Sequence, residues 1–204
     1  VTPVQLSPTQ IDALREVANI GSGNAATALS KLSGMSIMID VPSIHVANVA
    51  DVERRIAGPQ LPVVTLSMQI LGDLDGHTLF VLPERNACLL CDLLLQRQPG
   101  TSDLRGDLEQ SSLVETGNIM AGSFLNALAA VLGKTLMPSV PTVLIEPSDV
   151  LAATTGGARE EVLVAETAFK FERADTGLDR LTGVFLFVLD DEESINQLFH
   201  AIPA

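Results

Sequence analysis

Residues 11–35 read IDALREVANIGSGNAATALSKLSGM, and residues 110–134 read QSSLVETGNIMAGSFLNALAAVLGK. Set against each other at a constant offset of 99, eight of the 25 positions are identical. They are Leu14/Leu113, Glu16/Glu115, Asn19/Asn118, Ile20/Ile119, Gly23/Gly122, Ala28/Ala127, Leu29/Leu128 and Gly34/Gly133. Ordinary composition would supply roughly two. The register carries on through Val41-Pro42 and Val140-Pro141. A second match pairs GHTLFVL at 76–82 with GVFLFVL at 183–189, now at an offset of 107. The chain is therefore a duplicated unit of about 95 residues. The second copy therefore carries about eight extra residues between its matching blocks, expected around 172–179.

Working outward, Ser7 is placed to cap a helix that has Pro8 in its first turn, runs to about Leu32 and closes on Gly34. β-rich segments follow at 36–50, 61–71 and 76–82, with GDLDG at 72–76 as the hairpin turn. Pro83-Glu84 opens a helix to about Gln96, and 98–102 form a polar linker. The second half repeats the order: a helix over 107–132, strands near 135–148, 161–173 and 181–189, and a last helix over 191–201. Long antiparallel hairpins with helices beside them define an α+β fold with an internal pseudo-twofold and a largely antiparallel sheet. The strands at Val81-Leu82 and 184–189 are apolar on both faces, so both faces should be covered. Each half, about 7–97 and 107–204, is too short to do that alone. One domain over 1–204 is expected, with a sheet or core shared by both halves.

Composition narrows the function. Of 204 residues, 47% are hydrophobic and 18% charged, enough apolar material for a substantial core. The 25 acidic and 12 basic side chains give a net charge of -13, which disfavours binding to nucleic acid. Seven Phe with no Trp or Tyr leave little for stacking on bases or sugars. Cys88 and Cys91 have CxxC spacing, but no second Cys/His cluster completes a metal site. With Leu95 they fall on one face of an apolar helix and read as buried, reduced thiols. No signal peptide is evident. The longest strongly apolar stretch, 124–132, is interrupted by Asn126 and too short to span a bilayer, so a soluble cytoplasmic protein is expected.

The repeated helix carries a polar stripe. Asp12, Glu16, Asn19 and Gly23 stand at i, i+4, i+7 and i+11, on one helix face. The second copy has Ser111, Glu115, Asn118 and Gly122. Leu14, Val17, Ala18 and Ala25 form the opposite, apolar side. Such a stripe is ordinarily a solvated face, and a single Glu-x-x-Asn would be read that way. Two features weigh against it here. Asn is a poor mid-helix residue, where Lys or Glu would serve a surface better. Glu and Asn also recur while neighbouring surface positions diverge (Arg15 to Val114, Lys31 to Ala130). Gly21, Gly23 and Gly122 each cost the helix roughly 0.5–1 kcal/mol against Ala, and let another helix or a partner's backbone come close.

The chemistry open to one carboxylate and one carboxamide is limited. Glycoside hydrolysis wants two carboxylates, and a metal centre wants His or more carboxylates. His45, His77 and His200 are scattered and read as structural. No Gly-x-Ser-x-Gly elbow or Walker loop is present. Asn donates and accepts hydrogen bonds at once, so it can hold a water in line with an electrophile. Positioning alone suits a substrate that is already reactive, such as an acyl phosphate.

The doubled pattern [Asp/Ser]-x-x-x-Glu-x-x-Asn, the Asn-Ile-x-x-Gly that overlaps it and the two Val-Pro pairs resemble the CheC family of chemotaxis phosphatases. The resemblance covers nearly the whole chain in order and length. It implies a fold with the two motif helices paired side by side on one surface. It also implies a substrate, the phosphorylated response regulator CheY, whose phospho-aspartate is hydrolysed. By position, Asn19 and Asn118 would enter the regulator's active site and orient the attacking water. Glu16 and Glu115 would anchor on a regulator lysine, with Asp12 and Ser111 in support. Mg²⁺ would belong to the regulator, and no cofactor to this chain. CheD, a receptor deamidase, is a further partner of such proteins, although no sequence feature here specifies it. Two intact motifs argue against the single-site CheX type, and with the sequence ending at Ala204 the chain is expected not to be of the flagellar-switch type with its added domain. A monomer is expected. A different class of function, a non-catalytic adaptor that sequesters CheY or CheD, would use the same surface.

Overall fold

The computed structural model describes residues 6–48, 51–52, 62–147, 161–171, 180–189, 194 and 197–198. Helix α1 (Pro8–Ser33) starts at Ser7, whose hydroxyl accepts from the Gln10 amide at 3.2 Å while the Gln10 side chain accepts from the Ser7 amide at 2.9 Å. This reciprocal cap satisfies two amides that a helix start otherwise leaves unpaired. The helix ends on Gly34, which takes the left-handed conformation (φ 71°) that a side chain would oppose. Then come β1 (Ile37–Asn48), β2 (Pro62–Gly72), β3 (Gly76–Pro83) and α2 (Glu84–Leu94). The second half supplies α3 (Asp107–Leu132), β4 (Leu136–Pro138), β5 (Thr142–Pro147), β6 (Glu161–Phe171) and β7 (Arg180–Leu189). The expected last helix is described only at Ser194, Gln197 and Leu198, which are helical; the rest of it, and the inserted 172–179, lie outside the described residues.

These strands form one antiparallel sheet in the order β1-β6-β7-β3-β2, with β4 and β5 both along the outer side of β2. The order is a palindrome of the duplication. The first half's β1 pairs with the second half's β6, and the second half's β5 pairs with the first half's β2. Neither half keeps a sheet to itself. The registers repeat as well: Ile44 opposite Ala165 corresponds to Val143 opposite Leu66, and Ile37 opposite Phe171 to Leu136 opposite Gly72.

The two Val-Pro pairs mark the same irregularity in each copy. Proline offers no amide to the ladder and is confined to edges and bulges. β1 passes Val41-Pro42 with a register shift between Asp40 and Ser43. In the second copy the single strand expected over 135–148 is broken into β4 and β5. Ser139 bridges the break: its amide donates to the Gln69 carbonyl, and its hydroxyl accepts from the Gln69 amide, both at 2.9 Å.

The ladders also correct the second sequence match. Ile70 pairs with Gly76, whereas its counterpart Phe169 pairs with Leu181. Gly76 is therefore matched in space by Leu181, 105 residues on rather than 107. A two-residue slip leaves every side chain on its original face, so the apolar pattern does not register it. The pseudo-twofold then passes through the central ladder where Phe80 faces Phe185.

Both faces of the central strands are buried, as the apolar runs require. Phe80, Leu82, Phe185, Phe187 and Leu189 pack with α1, α2 and α3 in the main core, while Leu79, Val81, Leu186 and Val188 join Val63, Val164 and Val52 on the far face. Phe124 of α3 stacks on Phe185 with ring centres 4.6 Å apart. On α2, Cys91 is buried and Cys88 half-buried, and both are free thiols. Burial pushes the Cys91 thiol up to about 11 and raises Cys88 as well. The Ser112 hydroxyl donates to Cys91 Sγ at 3.5 Å.

Two outcomes are expected. The folded chain holds the Cys91 proton more tightly than the unfolded chain, whose thiol titrates near 9.0. That contribution is intact below the unfolded value and lost as pH rises toward about 11, so Cys91→Ala should flatten the alkaline fall in melting temperature. A Cβ on Gly21 would sit 3.0 Å from Phe124 Cα, where α1 and α3 touch. Gly21→Ala should therefore cost about 1–3 kcal/mol in a denaturant titration, despite the better helix propensity of Ala.

Candidate functional site

The two motif helices pack against each other over the sheet. Gly21 meets Phe124, while Val17 and Leu14, one and two turns earlier on α1, share an apolar cavity with Phe124 and Leu128 of α3. Moving back along α1 is moving forward along α3, so the pair is antiparallel. Leu14, Val17, Ala18, Ala25 and Leu29 of α1 and Leu113, Met120, Ala121, Phe124 and Leu128 of α3 are buried by this packing.

The motif residues take the other face. Asp12, Glu16, Asn19 and Gly23 are exposed on α1; Ser111 and Glu115 are exposed on α3, and Asn118 and Gly122 half-buried. Among the described residues, neither the Glu nor the Asn side chain of either copy makes a hydrogen bond or ion pair. Within each copy Glu and Asn stand one turn apart on the same face. Between copies they do not converge. With Gly21 opposite Phe124, Asn19 lies opposite about residue 126, eight residues past Asn118, which is about 12 Å along the axes. The surface holds two separate Glu-Asn sites rather than one composite.

The expected supporting residues differ between the copies. Asp12 Oδ1 accepts from Arg15 Nη1 at 2.7 Å, an exposed contact within α1. Ser111 instead donates to the Asp107 carbonyl at 2.8 Å, and Val114 stands where the arginine would be. Neither partner of the ion pair is repeated in the second copy. His45 and His77 lie half-buried on β1 and β3, away from the motif helices in sequence and element; His200 lies outside the described residues. Among the described residues no group of three His, Cys, Asp or Glu could hold a metal ion, and no helix is long and apolar enough to cross a membrane.

The sequence reading missed what fixes the start of α3. Gly106 caps the helix without a side chain. The anchoring comes from outside: buried Glu109, in the first turn, pairs with Arg97 from the end of α2. Asp92, also buried, accepts from the Ser102 amide at 2.8 Å and the Thr101 hydroxyl at 3.2 Å, folding the 98–102 linker back onto α2. Asp92 stands seven residues ahead of Pro99, too far for a local turn signal to announce the second of these. Nothing in the sequence reports that Glu109 is buried.

Comparison with known proteins gives the family. The model of the CheC-like family matches residues 10–46 and 108–145, the two motif helices and the strands that follow them. The chain is 32% identical to the CheY-P phosphatase CheC of Bacillus subtilis, over 96% of this chain and 94% of that protein. It belongs to the CheC-like family. It is also 30% identical over 68% of its length to the flagellar motor switch phosphatase FliY of Bacillus subtilis, covering 36% of that protein. Among solved structures, FliY of Thermotoga maritima superposes with a TM-score of 0.75 at 25% identity, over 98% of both chains. The FliM middle domain of H. pylori shares the fold, with a TM-score of 0.68 at 13% identity over 96% of this chain and 99% of that one.

The Arg97–Glu109 pair generates a test. Arg97→Ala leaves a buried carboxylate without its partner, which costs about 3–5 kcal/mol when both charges are desolvated. Arg97 is one-third exposed (35%), so the loss should fall at the lower end of that range. A denaturant titration should show it, and Arg97→Ala/Glu109→Gln should recover part of it.

Proposed function

We propose that this chain hydrolyses the phospho-aspartate of a CheY-type response regulator, at two equivalent sites. The observation that carries the reading is the pair of unpartnered Glu-Asn sets on the open face of α1 and α3. A mid-helix Asn whose side chain bonds to nothing in its own chain is costly unless a partner uses it. The relative from Bacillus subtilis named as a CheY-P phosphatase, alike over nearly the full length, supports the same substrate here.

The acyl phosphate is already activated, so the protein supplies position rather than acid or base. The carboxamide of Asn19 or Asn118 accepts a hydrogen bond from a water and holds its oxygen in line with phosphorus. The bond from water oxygen to phosphorus forms as the bond to the aspartyl oxygen breaks, with the carboxylate leaving. The protons of the water end on phosphate and solvent. Mg²⁺ is held by the regulator and neutralises the phosphoryl oxygens. Glu16 and Glu115, one turn earlier, pair with a regulator lysine and fix the angle of approach. Within this reading the chain acts as a cytoplasmic monomer, and CheD is a second partner, testable by co-purification.

Phosphate release from phosphorylated CheY tests the assignment. Asn19→Ala and Asn118→Ala should each remove one site's share of turnover. The shares need not be equal, since Asp12–Arg15 supports the first site and Ser111–Val114 the second. The double variant should lose nearly all acceleration while still binding the regulator. Glu16→Ala and Glu115→Ala should instead weaken binding, by about 2–5 kcal/mol if the ion pair is desolvated. Wild-type turnover in a folded Asn19→Ala/Asn118→Ala protein would favour a sequestering adaptor.

A further inference from the structure

Four glycines interrupt the two motif helices, and they divide into two kinds. A Cβ on Gly21 would meet Phe124 Cα at 3.0 Å, and one on Gly117 would meet Pro141 at 3.1 Å. These two are needed by the internal packing. Neither is repeated in the other copy, where Met120 and Ala18 stand instead. Gly23 and Gly122 are the opposite case. A Cβ on either would find nothing within 4 Å, yet the two are equivalent positions of the duplication and both are Gly. Both have negative φ, so the backbone does not demand glycine either. The fold gives no reason for them, and Ala would make each helix more stable.

Their place in the stripe supplies a reason. Gly23 and Gly122 follow Asn19 and Asn118 by four residues, one turn on along the same row. An asparagine amide extends only two bonds past Cβ, so an Asn can reach a recessed phosphoryl group only if the helix backbone itself comes close to the partner. The next residue in that row sets the standoff. We propose that Gly23 and Gly122 are specificity-determining contact points, at which the backbone of the phosphorylated regulator lies directly against the motif helix. This proposal rests on the phosphatase reading above and adds the requirement for bare helix backbone beside each Asn. A methyl group adds about 1.5 Å at that surface. A misplacement of about 1 Å at a reacting centre can cost a hundredfold in rate.

The test is Gly23→Ala/Gly122→Ala, assayed beside Asn19→Ala/Asn118→Ala and the surface control Lys31→Ala. The substrate is CheY phosphorylated by a small-molecule phosphodonor with Mg²⁺. The glycine double variant should melt higher, by about 2–4 °C for each substitution. It should nevertheless turn over about 10–100-fold less substrate, with KM raised and kcat lowered. The asparagine double variant should lose kcat with KM little changed, and Lys31→Ala should match wild type. Gly→Leu at the same positions should lose more than Gly→Ala. Wild-type turnover and KM in the glycine double variant, with the asparagine variant inactive, would overturn this proposal and leave the phosphatase reading standing. Wild-type turnover in the asparagine variant would overturn both.

Discussion

The central ladder between β3 and β7, with Phe80 facing Phe185, is the contact on which the rest of the molecule depends. Among the described residues it is the one strand pairing in which equivalent elements of the two copies meet, and it sets the pseudo-twofold. Once those two strands are joined, each hairpin grows outward, and the first strand of each copy lands on the hairpin of the other. The apolar runs of β3 and β7 make sense only in this setting. Strands at the centre of a covered sheet are apolar on both faces, and an isolated half would leave them wet.

The same symmetry puts α1 and α3 on one face of the sheet, antiparallel and in contact. The contact is close because Gly21 presents no side chain to Phe124. Phe124 in turn stacks on Phe185, so the helix pair and the central ladder share one aromatic cluster. With the apolar rows of both helices committed inward, the Glu-Asn rows have only the solvent side left. The site is thus a product of packing: burying Leu14, Val17, Leu113 and Met120 is what exposes Glu16, Asn19 and Glu115 and leaves Asn118 half-open.

Duplication makes the two sites alike, and the surroundings make them differ. The first helix is capped by its own Ser7 and Gln10; the second is held by Arg97 and the folded 98–102 linker. The first site has Asp12–Arg15 beside it, and the second a serine that bonds back to its own helix. The same motif is therefore presented in two different local settings.

The self-comparison at offset 99 was enough to read the duplication and the motif stripe, and local signals gave the α+β class and the helix caps at Ser7 and Gly34. These are local in sequence: a period, a cap or an identity is written in residues within a few turns of one another. Residues brought together from a distance were not legible. The burial of Glu109 depends on Arg97 arriving from α2, and the difference between Gly21 and Gly23 depends on where Phe124 falls. The two-residue slip between the hairpins keeps the inward and outward pattern intact, so only the hydrogen-bond registers reveal it. The sequence by itself determined that the Glu-x-x-Asn motif occurs twice, at Glu16 and Asn19 and at Glu115 and Asn118. The tertiary structure decided that they lie apart on antiparallel helices, because the symmetry of the sheet, not the motif, sets how the helices cross.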